Sequence, residues 1–236
     1  MTGPAGQPAG LPDWMLPILA GARTITGEDI SRWLVPEDSG ARPGAVLMLF
    51  GEGERGPDLL LTERAHTMRS HPGQVSFPGG SVDPEDASPT AAALREAVEE
   101  VGVDIDGVDV LATLPELWLP PSNFAVTPVL AWWRESSPVG VVDPAEVHAV
   151  FRTPIAELLD PANRVTVTHP AGYSSPGFLI GDDKDVLLWG FTAGLINKLF
   201  DFVGLTRDWD DSMTRQLPDY MLGSPTLSAT DDAEVT

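Results

Sequence analysis

Short apolar runs rich in β-branched and aromatic residues alternate with segments whose apolar residues recur at helical spacing. Gly51-Glu52-Gly53 separates the first two apolar runs, which predicts a β-hairpin. The predicted strands cover residues 45–50, 59–62, 74–77, 108–114, 124–133, 164–168, 178–181 and 186–189. The predicted helices cover residues 13–22, 27–34, 89–101, 155–159 and 194–205, and the last of them is expected to start within residues 189–193. This mixture predicts an α/β fold in which helices pack on a mixed sheet.

The third of these helices has clear start and stop signals. Ser88 can cap its first turn, Pro89 suits the first helical position, and Gly102 can take the left-handed conformation that ends a helix. Ala92 and Ala93 are predicted to leave open space one turn before its acidic residues. The side predicted to face the core consists of Ala91, Leu94, Val98 and Val101.

Three glutamates share one narrow side of this helix. At about 100° per residue, Glu99 and Glu100 lie about 60° and 40° on either side of Glu96. Like charges at this spacing repel each other, and they stand at the helix end where the macrodipole favours cations. Pairing of Arg95 with Glu99 offsets only part of this repulsion. A solvated acidic helix end is the alternative, but the cluster breaks two local rules without structural gain, which a divalent metal site explains.

The sequence from Arg95 to Val103, REAVEEVGV, resembles the REUxEExGU core of the Nudix box, the signature of a family of diphosphate hydrolases. Gly79 and Gly80 match the glycine end of that box. Arg95 follows Gly80 by fifteen residues instead of the usual fourteen, and Asp86 stands where the box usually has a glutamate. Neither departure changes the three glutamates.

A second motif lies directly before the box. Residues 60–80, LLTERAHTMRSHPGQVSFPGG, resemble the LLTxR…R…G…FPGG signature of the coenzyme A diphosphatase branch of the same family. That branch also has a box longer by one residue, so the unusual spacing agrees with it. Residues 60–103 therefore carry both motifs without interruption.

The resemblance implies a Nudix-type α/β/α sandwich on a mixed sheet. It also implies hydrolysis of coenzyme A at its diphosphate to 3',5'-ADP and 4'-phosphopantetheine, with acyl-coenzyme A left open as a substrate. Two alternatives remain. One is hydrolysis of another nucleoside diphosphate derivative, such as NADH, ADP-ribose or an oxidised nucleotide. The other is a Nudix-fold module that senses a nucleotide without cleaving it, although such a module would be expected to lose box glutamates, and all three are present.

The resemblance implies that the box glutamates do the chemistry. Glu96, Glu99 and Glu100 are expected to bind Mg2+ or Mn2+, which need hard oxygen ligands. The same three residues are the catalytic candidates, with Glu99 either a third ligand or the base that deprotonates water. Arg95, paired with a neighbouring carboxylate, is expected to orient the ligands instead of touching substrate.

Further candidates lie outside the box helix. Glu146 is the first candidate, and Glu116 the second, for an extra acidic residue near the metal ions; plain surface acids are the alternative for both. Arg64 and Arg69 belong to the densest basic patch of the chain and are expected to face phosphate, against the alternative of charges scattered along a loop. The candidate substrate-binding residues are Arg64, Arg69, Gly79 and Gly80.

Composition narrows the possible partners. The 236 residues include 35 acidic and 14 basic residues, a formal net charge of -21, which excludes nucleic-acid polymers and anionic membranes as favourable partners. An acidic protein that handles a small polyanion needs metal ions and a local basic patch. The chain has no cysteine, so it forms neither disulfides nor zinc–thiolate sites, which fits a reducing cytoplasm.

The chain is expected to form a single domain with terminal extensions. Residues 1–12 are predicted to be a disordered N-terminal tail, residues 13–206 one Nudix domain with its box at about 79–103, and residues 207–236 an acidic C-terminal tail. At least residues 223–236 of that tail are predicted to be disordered. We expect no signal peptide or membrane span, and a homodimer is the default expectation for the assembly.

Overall fold

The structure is a computed structural model that describes residues 10–31, 34–68, 70–120 and 122–221. Within those residues it contains two β-sheets, of which the larger has eight strands. Its strands are β1 (Arg42–Gly53), β2 (Gly56–Arg64), β3 (Val75–Ser76), β4 (Gly79–Ser81), β5 (Val108–Thr113), β6 (Leu117–Leu119), β7 (Phe124–Trp133) and β8 (Val147–Pro154). β1 pairs antiparallel with β2 and with β4, and parallel with β7, so the sheet is mixed. β8 pairs antiparallel with β2.

A smaller four-stranded sheet follows in the chain. Its strands are β9 (Arg164–Thr168), β10 (Ser174–Ile180), β11 (Val186–Leu188) and β12 (Thr214–Gln216), in the order β11-β10-β9-β12. β12 runs parallel to β9, and the other pairs are antiparallel. The helices are α1 (Leu16–Ala22), α2 (Gly27–Ile30), α3 (Pro89–Val101), α4 (Ile155–Leu158) and α5 (Gly190–Phe202).

Side chains of the larger sheet alternate between two separate cores. On β1, Leu47 and Leu49 pack with α3. Met48 and Phe50 point the other way and pack with α1, α5 and the smaller sheet. The period of two along a strand produces this division, because successive side chains leave opposite faces of a sheet. The mixed sheet therefore lies between helices, and the α/β fold expected from the sequence is confirmed.

Most predicted elements form, with several shifts at their ends. β7 and β9 have the predicted bounds, and the predicted hairpin forms between β1 and β2, with its turn at residues 54–55. The helix predicted for residues 27–34 is shorter, because Ser31 adopts an extended conformation after Ile30. α5 begins at Gly190, within residues 189–193, where the last helix was expected to start, and it ends at Phe202, three residues earlier than predicted. β4 and β6 lie in segments for which neither a strand nor a helix was predicted.

The side of α3 that faces the core differs from the prediction. Val98 was expected in the core but is 40% exposed. Ala92 and Ala93 were expected to border open space but are fully buried, and the buried face continues through Ala97 and Val101. Small alanine side chains let the helix approach β1 and β7 closely, so they form the contact that larger residues were predicted to form.

The beginning of the segment expected to be an acidic tail packs against the smaller sheet. β12 pairs with β9, and Leu217 and Met221 are buried beside Val165 and Val167. The parts of both predicted tails at residues 1–9 and 222–236 lie outside the described residues. Among the helices in the described part of the chain, none has the length and apolar character needed to span a membrane.

Candidate active site

The predicted end signals of α3 are present and hold its glutamates in place. The Ser88 hydroxyl accepts a hydrogen bond from the amide of Ala91 at 3.2 Å, and Pro89 occupies the first helical position. Gly102 ends the helix in the left-handed conformation, with φ of 74°. The carboxylates therefore extend from a helix that is capped at both ends.

The glycines before the box meet the glutamates directly. β4 pairs with residues 44–46 of β1, which brings Gly79 and Gly80 over α3. The amide of Gly79 donates a hydrogen bond to Oε2 of Glu100 at 3.2 Å. A Cβ atom on Gly80 would lie 2.7 Å from Cδ of Glu96 and closer still to Oε1. Only a residue without a side chain lets the backbone come so near these carboxylates.

Glu100 is the most perturbed carboxyl group of the site. It is only 5% exposed, and this burial raises its pKa to about 8. The Gly79 amide and the nearby charge of Arg64 act against the shift, whereas the charges of Glu96 and Glu146 add to it. Glu100 therefore lies among groups of its own charge with too few donors to balance it.

Glu96 is perturbed in the same direction. Burial is the main cause of its raised pKa, and hydrogen bonding and charge from Arg95 act against it. The charges of Glu99 and Glu146 raise the pKa further. A divalent cation between these oxygens would remove the repulsion, so the residues present fit the hard-oxygen metal site implied by the sequence.

Arg95 ties the box helix to the loop before it. Its guanidinium donates to both carboxylate oxygens of Asp86, at 3.1 and 2.9 Å, and to the carbonyl of Ser81 at 3.1 Å. It also donates to Oε1 of Glu96 and Oε2 of Glu99, each at 3.0 Å. The predicted pair with Glu99 is thus present, and Asp86, the residue that departs from the usual box, is a bidentate partner that the sequence did not identify.

The three glutamates are not equivalent. The side chain of Glu99 is 58% exposed, whereas that of Glu96 is only 14% exposed. Glu96 and Glu100 face the glycines of β4, while Glu99 points outwards along Arg95. The narrow acidic side predicted from helical spacing therefore divides into two enclosed carboxylates and one that water reaches.

Of the candidates beyond the box, the structure brings Arg64 and Glu146 to the site. The amide of Ala65 donates to the carbonyl of Glu146 at 2.7 Å, which joins the end of β2 to the residue before β8. The charges of Arg64 and Glu146 both act on Glu100. Glu116 is exposed and lies just before β6. In the sheet, two strands, β7 and β1, stand between β6 and the β4 strand that covers two of the box glutamates. Arg69 lies outside the described residues.

Comparison with known proteins identifies the family. A family model described as the NUDIX domain matches residues 40–170. The chain belongs to the Nudix family. This Nudix chain is 39% identical over 176 residues to an uncharacterized Nudix hydrolase, NudL, of Enterobacter sp. (strain 638), covering 70% of the chain and 84% of that relative. This Nudix chain is therefore a hydrolase that acts on phosphorus-containing anhydrides.

A second relative and a solved structure are also similar to this chain. NudL of Cronobacter sakazakii, also described as uncharacterized, is 43% identical over 147 residues, which cover 61% of this Nudix chain and 73% of that relative. Among solved structures, the Nudix hydrolase RenU from M. smegmatis is similar with a TM-score of 0.46 and 19% identity. That match covers 72% of this chain and 90% of RenU.

Proposed function

We propose that this Nudix hydrolase cleaves coenzyme A at its diphosphate bond, giving 3',5'-ADP and 4'-phosphopantetheine. The observation that carries the proposal is the uninterrupted run of residues 60–103, which resembles the coenzyme A diphosphatase signature followed by the longer box. The fold supports it, because both parts of that run meet at one carboxylate. Arg64 at the end of β2 acts on Glu100 through its charge, and Gly79 of β4 donates to it.

The metal-binding role belongs chiefly to Glu96 and Glu100. Their carboxylates supply the hard oxygen ligands that Mg2+ or Mn2+ requires, and the raised pKa values of Glu96 and Glu100 mark sites where positive charge is lacking. When bound, such an ion neutralises diphosphate oxygens and lowers the pKa of water. Glu146 is the extra acid that this proposal places beside the ion, in preference to Glu116.

The chain's own residues divide the remaining work. Glu99, exposed to water and held by Arg95, is the proposed acceptor of the proton from the attacking water. Arg95 is a positioning residue, because its hydrogen bonds go to Asp86, to the glutamates and to the carbonyl of Ser81. Gly79 and Gly80 remain proposed substrate-binding glycines, because their bare backbone brings β4 against the carboxylates that would hold the ion.

Arg64 is the proposed phosphate contact. Its Nε atom is buried and has no hydrogen-bond partner among the described residues, and its charge acts on Glu100. A guanidinium that keeps a free donor beside a metal site suits the bidentate recognition of phosphate. Arg69, in the same signature, is the second proposed contact. A small polyanion is thereby accommodated by a protein whose net charge is -21.

The first experiment incubates purified protein with coenzyme A and Mg2+ or Mn2+, beside the variant Glu100→Gln, and identifies products by mass spectrometry. We expect phosphopantetheine and 3',5'-ADP from the wild type alone. Equal cleavage by the variant would contradict the assigned site. A thermal shift with coenzyme A but no cleavage would favour the sensing module. If coenzyme A gives neither cleavage nor a thermal shift, the next substrates to test are NADH, ADP-ribose and oxidised nucleotides.

The phosphate contacts are tested by comparing coenzyme A with dephospho-coenzyme A. Arg64→Ala and Arg69→Ala are each measured with both substrates, beside Arg215→Ala, which changes an exposed arginine of β12. A contact with the 3'-phosphate predicts that the preference for coenzyme A falls in at least one of the first two variants. An unchanged ratio in both would count against a 3'-phosphate role. A cytoplasmic location and a homodimer are also proposed, the latter to be checked by light scattering.

A further inference from the structure

A second group of metal-ligand side chains lies at the β2–β8 pair, away from the box glutamates. Glu63 is the penultimate residue of β2, His66 lies in the turn that follows, and His148 is on β8. Each offers one ligand atom, and these atoms lie within 4.8 Å of one another. Nε2 of His66 is 2.7 Å from Oε1 of Glu63.

This group faces the opposite side of the sheet from Arg64. On β2, Leu59 and Leu61 pack into the core next to α1 and α5, whereas Leu60 packs with α3. Because side chains alternate along a strand, Glu63 leaves the sheet on the side of Leu59 and Leu61, and Arg64 leaves on the side of α3. The thickness of the sheet therefore separates this group from Glu96 and Glu100.

A bulge places His148 beside the other two residues. Glu63 pairs with Ala149 and Arg64 pairs with Val147, so His148 is an extra residue between two consecutive pairs. A bulge of this kind leaves one residue unpaired and turns its side chain from the regular direction. The result is contact between the rings of His148 and His66, whose centroids are 4.6 Å apart.

We propose that Glu63, His66 and His148 form a zinc site separate from the metal site of the Nudix box. Two imidazole nitrogens and one carboxylate oxygen are a ligand set that suits Zn2+ and other borderline transition metals, whereas Mg2+ and Mn2+ prefer oxygen alone. Three protein ligands leave one position of a tetrahedral ion for water.

The distances fit such an ion after small side-chain movements. Zinc bonds of about 2.1 Å in tetrahedral geometry place two ligand atoms about 3.4 Å apart. The Glu63–His66 separation of 2.7 Å is shorter than this, and the widest separation in the group stays within 4.8 Å. An ion would replace the proton shared by Glu63 and His66. To bind it, the ligand atoms of Glu63 and His66 have to move slightly apart, and His148 has to move closer.

Tyr220 holds His66 in a suitable orientation. The two rings are stacked, with centroids 4.8 Å apart and planes at 12°. Stacking occupies the face of the imidazole and leaves its nitrogens, which lie in the ring plane, free to bind an ion. Glu63 is buried, whereas His66 and His148 are exposed, so the site is anchored from inside and reached from solvent.

The site would link two segments that also serve the active site. His66 belongs to the loop after β2, and His148 follows Glu146 by two residues. An ion bound here would fix that loop to β8. The alternative is a hydrogen-bonded His66–Glu63 pair that binds no metal.

The test measures zinc bound per full-length chain after equilibration with Zn2+ and gel filtration, using elemental analysis, and repeats it with Co2+ and visible absorption. The variants are His66→Ala and His148→Ala. His169→Ala is the matched control, because His169 stacks on Tyr173 outside the group. Glu96→Gln is included because it would lose zinc if the ion were bound by the box glutamates. Thermal unfolding without metal checks that each variant folds.

We expect the wild type to bind one zinc ion, and we expect His66→Ala and His148→Ala each to lower its affinity for zinc. Loss of a residue that only supports a metal ligand lowers metal affinity by roughly 10–100-fold, so loss of a ligand itself should lower it further. His169→Ala and Glu96→Gln should retain the zinc ion, with nitrogen-ligated Co2+ bands in the visible spectrum. Retention of zinc in both His66→Ala and His148→Ala, loss in Glu96→Gln alone, or no zinc in the wild type would each overturn the proposal. If His66→Ala does not fold, the exposed His148→Ala decides.

Discussion

Gly80 lies directly against Glu96, so that a Cβ atom on the glycine would overlap the carboxylate. Gly80→Ala should displace Glu96 from the position it shares with Glu100, because the side chain has to move before the methyl group fits. We expect kcat/KM to fall by about 10–100-fold, since displacements of about 1 Å at a catalytic group have effects of this size. Steady-state kinetics with coenzyme A would measure it.

Gly194→Ala is the matched control for this change. Gly194 lies in α5, and a Cβ atom added there has no neighbour within 4 Å. Alanine should leave activity unchanged and stabilise the helix by roughly 0.5–1 kcal/mol. Full activity in Gly80→Ala with a normal melting temperature would show that the contact with Glu96 has no catalytic role.

Glu100 should make the metal-free protein less stable as pH rises. Its pKa is about 8 in the folded state against a reference of 4.5. Between these values the folded state keeps a proton that the unfolded state has released, so the free energy of unfolding decreases with increasing pH. One pKa unit corresponds to about 1.4 kcal/mol, which allows a change of a few kcal/mol. Urea unfolding with EDTA at about pH 5 and about pH 8 would measure the slope.

Glu100→Gln removes the ionisation and should reduce that slope, leaving the contribution of Glu96, whose pKa is shifted in the same direction. The variant should be more stable than the wild type at about pH 8 when no metal is present. Glu99→Gln should reduce the slope less than Glu100→Gln, because it removes only a neighbouring charge that raises the pKa of Glu96. Parallel pH dependence in the wild type and Glu100→Gln would contradict the assignment.

Arg95 and Asp86 should act as one unit. Arg95→Lys loses the bidentate pair and the simultaneous contacts with Glu96 and Glu99, because an ammonium group lacks the planar fork. We expect about a tenfold lower kcat/KM for Arg95→Lys and for Asp86→Asn. The double variant should be little worse than either, giving a coupling energy of about 0.5–3 kcal/mol. Strictly additive effects would mean that the two residues act independently.

Sequence pattern anticipated the elements whose side chains carry a strong local signal. β7 consists largely of apolar residues and β9 has four consecutive β-branched residues after Arg164, and both strands have the predicted bounds. β4 and β6 have three residues each. β4 becomes a strand by pairing with β1, which is distant in sequence, and β6 by pairing with the longer β7. A short segment without alternation contains no signal of such pairing.

The same limit applies to the sites. Helical spacing predicted that Glu96, Glu99 and Glu100 share one side of α3, but the exposure of Glu99 depends on β4, which covers only the other two. Glu63 and His66 are near in sequence, whereas His148 joins them through the β2–β8 pairing and its bulge. Residues on one helix are thus predictable as a group, and residues gathered by a sheet are not.

Glu146 and Glu116, the two candidates for an extra acid, provide a direct comparison. The charge of Glu146 acts on both Glu96 and Glu100, while Glu116 stands beyond β1 and β7 as seen from β4. A cation held by the box glutamates should therefore attract Glu146. We expect Glu146→Gln to raise the Mg2+ concentration for half-maximal activity by about tenfold, or about 1.4 kcal/mol.

The measurement is a Mg2+ titration of activity, supported by thermal shifts with Mg2+ alone, so that metal binding is followed without turnover. Glu116→Gln should match the wild type in both, because its exposed carboxylate precedes β6 at the far side of the sheet. The reverse pattern, with Glu116→Gln weakened and Glu146→Gln normal, would assign the extra acid to the wrong loop. A response in neither variant would leave Mg2+ to the box glutamates, with Glu146 serving only to raise the pKa values of Glu96 and Glu100.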